Sequence, residues 1–220
     1  MKKTLGLTIL KHFILDGCEV KVADVTPLAA PGMLDKVLPL LSKHRRDKTL
    51  RYRFERGKML SAGAGLLLDN LLREQGLAEA KMQYTEGEHG KPEFAHYPDL
   101  HFSISHSGTL VACAIGDVPL GVDVQTIVTP RDGLIDYTMN EIEKSHLASL
   151  TTDEEKSLYF TQLWTLKESY AKATGIGLSH DFPAFEIVDD VVRPLTSLDP
   201  LARFHMFTLD GAAAALAILD

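Results

Sequence analysis

Apolar residues change their spacing repeatedly along this chain, and each change marks a change of element. Two short apolar runs, Leu5 to Leu10 and Val20 to Val25, read as strands that end at the turn around Pro27 to Gly32. Helical spacing follows: Leu34, Val37, Leu38 and Leu41 fall at i, i+3, i+4 and i+7, and Leu50 to Leu72 predicts a longer helix. Its small residues Ala62-Gly63-Ala64-Gly65 indicate close helix packing rather than a phosphate loop, because the strand-then-turn context and G-x-G-x-x-G spacing of a dinucleotide site are missing. From Tyr84 to Leu120 the pattern turns to short strands. Gly90-Lys91-Pro92 is turn chemistry, His101 to Ser107 alternates into a turn at Gly108, and Leu110 to Ile115 is apolar.

The second half predicts helices over about Asn140 to Leu150 and Asp153 to Thr174, with Asp153 as N-cap and Gly175 just past the C-terminus. Strands follow near Phe185 to Val188, Val191 to Pro194, Phe204 to Leu209 and Ala212 to Ile218. The fold class is therefore α+β, in two halves, residues 1–115 and 116–220. No residue-level repeat between the halves is strong enough to establish duplication.

Composition narrows this picture in three ways. With 220 residues, 45% hydrophobic and 24% charged, the chain can bury a sizeable core. No apolar run approaches the roughly 20 residues of a membrane helix, and the opening run is broken by Lys11 and His12, so a cytoplasmic protein with no membrane partner is expected. Cys18 and Cys113 lie in apolar contexts without CxxC spacing and read as buried thiols. The net charge of −7 argues against nucleic-acid partners, which require a basic surface. Yet Lys43, Arg45, Arg46, Lys48, Arg51, Arg53, Arg56 and Lys58 crowd one stretch against Asp47 and Glu55 alone, which suits a small anionic ligand.

Two acid-bearing segments carry the candidate chemistry. In Gly121-Val122-Asp123-Val124-Gln125, read as a strand, Asp123 and Gln125 point to one face. In Trp164-Thr165-Leu166-Lys167-Glu168-Ser169-Tyr170-Ala171-Lys172, read as a helix, Glu168 and Lys172 share a face at i, i+4. Carboxylates brought together from a strand and a helix repel unless a cation lies between them, and a hard divalent ion shared with phosphate oxygens is the common solution. A Glu-x-x-x-Lys pair can equally be an exposed helical ion pair worth about 0.3–0.5 kcal/mol. Trp164, beside Tyr159, Phe160 and Leu163, reads as core.

These two segments, spaced as they are, resemble the 4′-phosphopantetheinyl transferases of the larger, Sfp-type class. Gly90-Lys91-Pro92 and Phe102-Ser103-Ile104-Ser105-His106-Ser107-Gly108 resemble that family in the same order, so the likeness runs over about residues 45 to 180. It implies two similar α+β halves in a pseudo-twofold arrangement with a ligand cleft between them, in a monomer. It also implies an enzyme of the holo-[acyl-carrier-protein] synthase type, serving fatty-acid biosynthesis or secondary metabolism. The reaction implied is Mg²⁺-dependent transfer of phosphopantetheine from coenzyme A to a serine of an apo acyl or peptidyl carrier protein, with release of adenosine 3′,5′-bisphosphate.

The resemblance also assigns residues. Asp123, Gln125 and Glu168 would hold the metal, Glu168 would accept the serine proton, and Lys172 would face the phosphate oxygens. Lys91, Pro92, Ser105 and His106 would contact coenzyme A, and Arg45 and Lys48, with Ser61, its 3′-phosphate. Gln125 departs from the family, many of whose members carry glutamate there; an amide can coordinate Mg²⁺ but brings no charge. A metal-dependent phosphohydrolase could use the same carboxylates and lysines for attack by water, and a carrier-protein-binding module without chemistry is the non-enzymatic alternative. Residues 126 to 150 resemble the region that faces the carrier.

Overall fold

The structure is a computed structural model that describes residues 3–87, 90–176, 183–188 and 191–220. It divides into two compact units, Met1–Val118 and Pro119–Asp220.

The first unit contains β1 (Lys3–Thr4), β2 (Leu7–Leu15), β3 (Cys18–Asp24), α1 (Met33–Val37), α2 (Lys43–Leu50), α3 (Glu55–Glu74), β4 (Tyr84–Glu86), β5 (Pro92–Phe94), β6 (His101–Ser107) and β7 (Leu110–Gly116). Its antiparallel sheet runs in the order β1-β2-β3-β7-β6, and α3 packs against it. The small residues foreseen in α3 act by proximity: a Cβ added at Gly63 would run into Val25, just past the end of β3, and one at Gly65 would lie 2.8 Å from Arg45 Cγ and 2.9 Å from Leu41 Cδ2. Buried Leu67, Leu68, Leu71 and Leu72 complete the helix face, joined by Val37, Leu41, Phe94 and Phe102 in one core.

The helices divide more finely than apolar spacing predicts. The stripe from Leu34 to Leu41 is a short α1 followed by a 3-10 turn at Leu38–Leu40, because Pro39 offers no backbone N–H for a further α-helical turn. The helix expected from Leu50 starts later, at Glu55 as α3, and a separate helix α2 precedes it and ends at Leu50, with Phe54 extended between them. Pro92 is the first residue of β5, a place where its missing donor costs little, and Gly90 makes the turn before it with φ 78°.

The second unit contains β8 (Leu120–Thr126), α4 (Asp132–Thr138), α5 (Glu141–Ser149), α6 (Asp153–Thr174), β9 (Phe185–Val188), β10 (Val191–Pro194), β11 (Ala202–Leu209) and β12 (Ala212–Leu219). Its three-stranded antiparallel sheet has the order β11-β12-β8, and β9 pairs with β10. Helix α4 has no counterpart in the apolar spacing. The N-cap of α6 lies one residue earlier than expected: it is Thr152, with Glu155 closing a capping box, and Asp153 is the first helical residue. Gly175, left-handed at φ 76°, ends it.

Helix α6 lies on β8 and β12. A Cβ at Gly121 would collide with the α6 backbone at Ser169 O and Ala173 N and come within 2.9 Å of Lys172 C. Ala217, Ala215 and Ala213 of β12 pair opposite Gly121, Asp123 and Gln125, so the strand face beneath the helix is built from the smallest side chains available. That permits the closest approach in the unit, and because strand side chains alternate, the face that carries Gly121 also carries Asp123 and Gln125.

Gly121→Ala is accordingly expected to destabilise the protein by about 1–3 kcal/mol or more, since backbone atoms must move to admit the methyl group. Gly133→Ala, in open space on α4, is expected to be neutral or stabilising by up to about 1 kcal/mol. Urea unfolding of the two variants checks the contrast.

Candidate functional site

Asp123 is 5% exposed on β8, and its Oδ1 accepts a hydrogen bond from Lys172 Nζ of α6 at 2.6 Å. Lys172 Nζ also approaches Val122 O at 3.3 Å. The lysine expected one turn from Glu168 therefore reaches across to the strand and pins the helix to it. Glu168 is half-buried on the same stretch of α6. Burial first, and then the charge of Asp123, push its carboxyl above the usual glutamate range, while Lys172 pulls the other way. Two carboxylates from separate elements thus sense each other across the β8–α6 seam, and one lysine acts on both. Gln125, two residues beyond Asp123 on the same strand face, is partly exposed.

Lys167, next to Glu168 in sequence, points elsewhere. Its Nζ donates to Glu143 Oε2 and to Thr138 O, both at 2.6 Å, and the lysine and glutamate side chains are 2% and 0% exposed. Burial pulls the ammonium below the usual lysine range, and Glu143 opposes that pull. Removing one partner of such a pair costs about 3–5 kcal/mol because the other is left charged in the interior. Glu143 falls in none of the motifs that the sequence singles out. Its signal was the Asn140-x-x-Glu143 capping box at the start of α5, formed in the structure by Asn140 Oδ1 accepting from Glu143 N at 3.0 Å and Glu143 Oε2 accepting from Asn140 N at 2.9 Å. Trp164 is half-buried and packs on the core around Phe160, Leu163 and Tyr170.

In the first unit, Ser105 is buried and His106 exposed on β6, just before the two-residue turn at Gly108 and Thr109. Arg56 braces that turn, donating from Nη2 to Gly108 O at 3.1 Å. Lys91 is half-buried; burial holds its ammonium below the usual range, with Glu93 acting against that. Pro92 is exposed. The basic stretch separates on folding. Lys48 is exposed, whereas Arg45 is 5% and Ser61 3% exposed. The Ser61 hydroxyl is engaged with Thr49 Oγ1 at 2.7 Å, and Arg45 Nε has no hydrogen-bond partner among the described residues.

Two other features of the first unit lie apart from these residues. A cavity of about 370 Å³ lined by Leu28, Leu34, Leu38, Leu50, Glu55 and Met59 includes none of the side chains expected to bind a cofactor. His12, Glu19 and Glu74 lie close enough together to share a cation, but Lys21 already fills that role: its ammonium contacts Glu74, Glu19 at 2.9 Å and Asn70 at 3.0 Å. No helix among the described residues is long and apolar enough to cross a membrane.

A carboxylate pair with an adjoining lysine is thus set on a strand and a helix, Asp123 on β8 and Glu168 and Lys172 on α6. Residues 119–217, which contain the whole of it, match the family model of the 4′-phosphopantetheinyl transferase superfamily. The chain is 33% identical over 165 residues to a 4′-phosphopantetheinyl transferase of Bacillus subtilis, covering 73% of this chain and 71% of that one. It is 30% identical over 154 residues to the 4′-phosphopantetheinyl transferase Sfp of Bacillus subtilis (strain 168), covering 70% and 68%. To the 4′-phosphopantetheinyl transferase HetI of a Nostoc species it is 31% identical over 162 residues, covering 70% and 68%. The chain belongs to the 4′-phosphopantetheinyl transferase family and is a transferase of that kind.

Because the folded-state pKa of Glu168 lies above its unfolded value of 4.5, the folded protein holds the proton longer, and stability falls as pH rises through that interval. Glu168→Gln removes the ionisation and is expected to raise the melting temperature of metal-free protein at pH 7, with the advantage shrinking as pH falls to about 4, where the parent carboxyl is itself protonated. Thermal melts of both proteins over pH 4 to 8 check this, and an advantage independent of pH would count against it.

Proposed function

We propose that this transferase moves 4′-phosphopantetheine from coenzyme A to a serine hydroxyl of an apo acyl or peptidyl carrier protein, in a Mg²⁺-dependent reaction that releases adenosine 3′,5′-bisphosphate. The observation that carries the reading is the pairing of Asp123 with Lys172 beside Glu168, within a chain of this family. The donor set suits a hard divalent ion: Glu168 resists ionisation next to Asp123, a conflict that a cation relieves, and Gln125 offers an amide oxygen on the same strand face. Asp123, Glu168 and Gln125 would hold Mg²⁺, which when bound supplies Lewis-acid neutralisation of the pyrophosphate.

The chain's own residues do the rest. Glu168 accepts the proton of the serine hydroxyl as its oxygen forms the new bond to the β-phosphorus of coenzyme A. The bond from that phosphorus to the bridging oxygen breaks, and the negative charge that leaves on the nucleotide fragment is met by Lys172. Lys48, Lys91, Pro92, Ser105 and His106 contact coenzyme A in the pseudo-twofold arrangement that the family resemblance implies. Arg45 and Ser61 are buried, so they meet the ligand only where it reaches Arg45 Nε, a donor without a partner among the described residues. The same proposal makes the protein a cytoplasmic monomer that serves carriers of fatty-acid or secondary metabolism, docked over residues 126 to 150.

With coenzyme A and Mg²⁺, an apo carrier protein is expected to gain about 340 Da, the mass of the transferred group, as read by mass spectrometry. Phosphate release without carrier modification would instead indicate a phosphohydrolase. Glu168→Ala is expected to abolish transfer while coenzyme A binding, measured by calorimetry, stays within a few-fold. Gln125→Glu is expected to retain activity; complete loss in that variant at saturating Mg²⁺ would remove Gln125 from the neighbourhood of the metal.

A further inference from the structure

Glu143 and its partner Lys167 together tie four elements to one another. Its Oε2 accepts from Lys167 Nζ of α6 at 2.6 Å and from Asn140 N at the start of α5 at 2.9 Å, and its Oε1 accepts from Phe185 N of β9 at 2.9 Å. Lys167 in turn donates to Thr138 O at the end of α4. The group is closed to solvent, with Glu143 0% and Lys167 2% exposed at their side chains.

Fold stability alone does not call for an ion pair here, since well-packed apolar residues of similar volume commonly hold such a position as well or better. Its place in the helix suggests another purpose. Neighbouring residues on a helix diverge by about 100°, so a side chain anchored at Lys167 sets the rotation of α6 about its axis and hence the direction of Glu168. The other anchor, Lys172 on Asp123, lies further along and on the strand side. Glu168 falls between two fixed points, one holding α6 to α4 and α5, the other holding it to β8.

We propose that Glu143 is a positioning residue for the transfer reaction: acting through Lys167, its carboxylate fixes the angle at which α6 presents Glu168 toward Asp123. The proposal rests on the site assignment made under Proposed function. Glu143 touches no reacting atom. Its contribution is geometric, and small displacements of a catalytic or metal-holding group have large kinetic consequences.

The test is a double variant, Glu143→Gln with Lys167→Met, which removes both charges together, keeps an acceptor oxygen for Asn140 N or Phe185 N, and preserves the length of the lysine stem. Glu143→Gln alone leaves Lys167 charged and is expected to melt well below the parent. The double variant is expected to recover most of that loss, yet to show kcat lowered on the order of 10- to 100-fold and half-activation by Mg²⁺ shifted several-fold upward, with KM for coenzyme A within about twofold. A double variant that folds and keeps parental kcat and Mg²⁺ response would overturn the proposal, leaving the pair a matter of stability alone. Should it not fold, Glu143→Asp, which keeps the charge and shortens the side chain by one methylene, is read the same way. If the parent itself modifies no carrier, the functional reading fails separately. The positioning claim is then decided by calorimetric Mg²⁺ affinity in the presence of coenzyme A, which weakens about tenfold in the variants if Glu143 orients Glu168 and is unchanged if it does not.

Discussion

Everything in the second unit depends on how closely α6 can lie on β8. The strand offers a hydrogen atom at Gly121 where any other residue would offer carbon, and β12 offers alanine at each position alongside. With larger side chains at those places the helix would stand off from the sheet, and a hydrogen bond of 2.6 Å between Lys172 and Asp123 would have no room to form. The approach of Lys172 to Asp123 is thus supported by an absence of side chains next to them. Packing this tight cannot be shared with bulky apolar residues, so the hydrophobic mass of the unit collects further along, around Phe160, Leu163, Tyr170 and Phe185.

Charge in this unit is arranged with the same economy. Lys167 and Lys172 leave one helix in different directions, and each meets a carboxylate on a neighbouring element. Glu168 lies between them in the helix, with burial and the charge of Asp123 opposing its ionisation. The first unit does the reverse with its cations. Arg45 is taken inside, its stem lying against Gly65, while Lys48 remains in solvent. A run that looks uniformly basic in sequence therefore becomes a layer of mixed burial once α2 docks on α3.

Which parts of this were legible in the sequence follows from the range of the forces involved. The strand from Leu120 to Thr126 and the helix from Asp153 to Thr174 could be read because alternation and helical spacing act over a few residues, and Gly175 marked the helix end for a local backbone reason. The break between α2 and α3 was missed because Arg51 to Phe54 contains neither glycine nor proline and differs little in polarity from the helices on either side. Pro39 was visible, but the apolar stripe around it hid its effect. At the site, the approach of Lys172 to Asp123 could not be foreseen from spacing, which put the lysine beside Glu168; only the depth of the Gly121 contact decides which carboxylate it reaches. Glu143 had a local role as a capping residue, and its long-range role depends on Lys167, which is 24 residues away in the chain.

The order of strands in the second sheet has a further consequence, for assembly. Strand β12 is the middle strand, pairing on one side with β11, its neighbour in the chain, and on the other with β8, from which α4, α5, α6, β9, β10 and β11 separate it. As the chain leaves the ribosome, Asp123 emerges early on a strand that has nothing yet to pair with, and α6 follows without a complete sheet to lie on. Both wait for Ala212–Leu219, a segment whose every residue is buried in the folded protein. Pairing across so long a stretch of chain is a non-local contact, whose loop-closure entropy is lost before the contact forms. The sheet on which Asp123 and α6 lie is therefore complete only once Ala212–Leu219 is in place between β11 and β8.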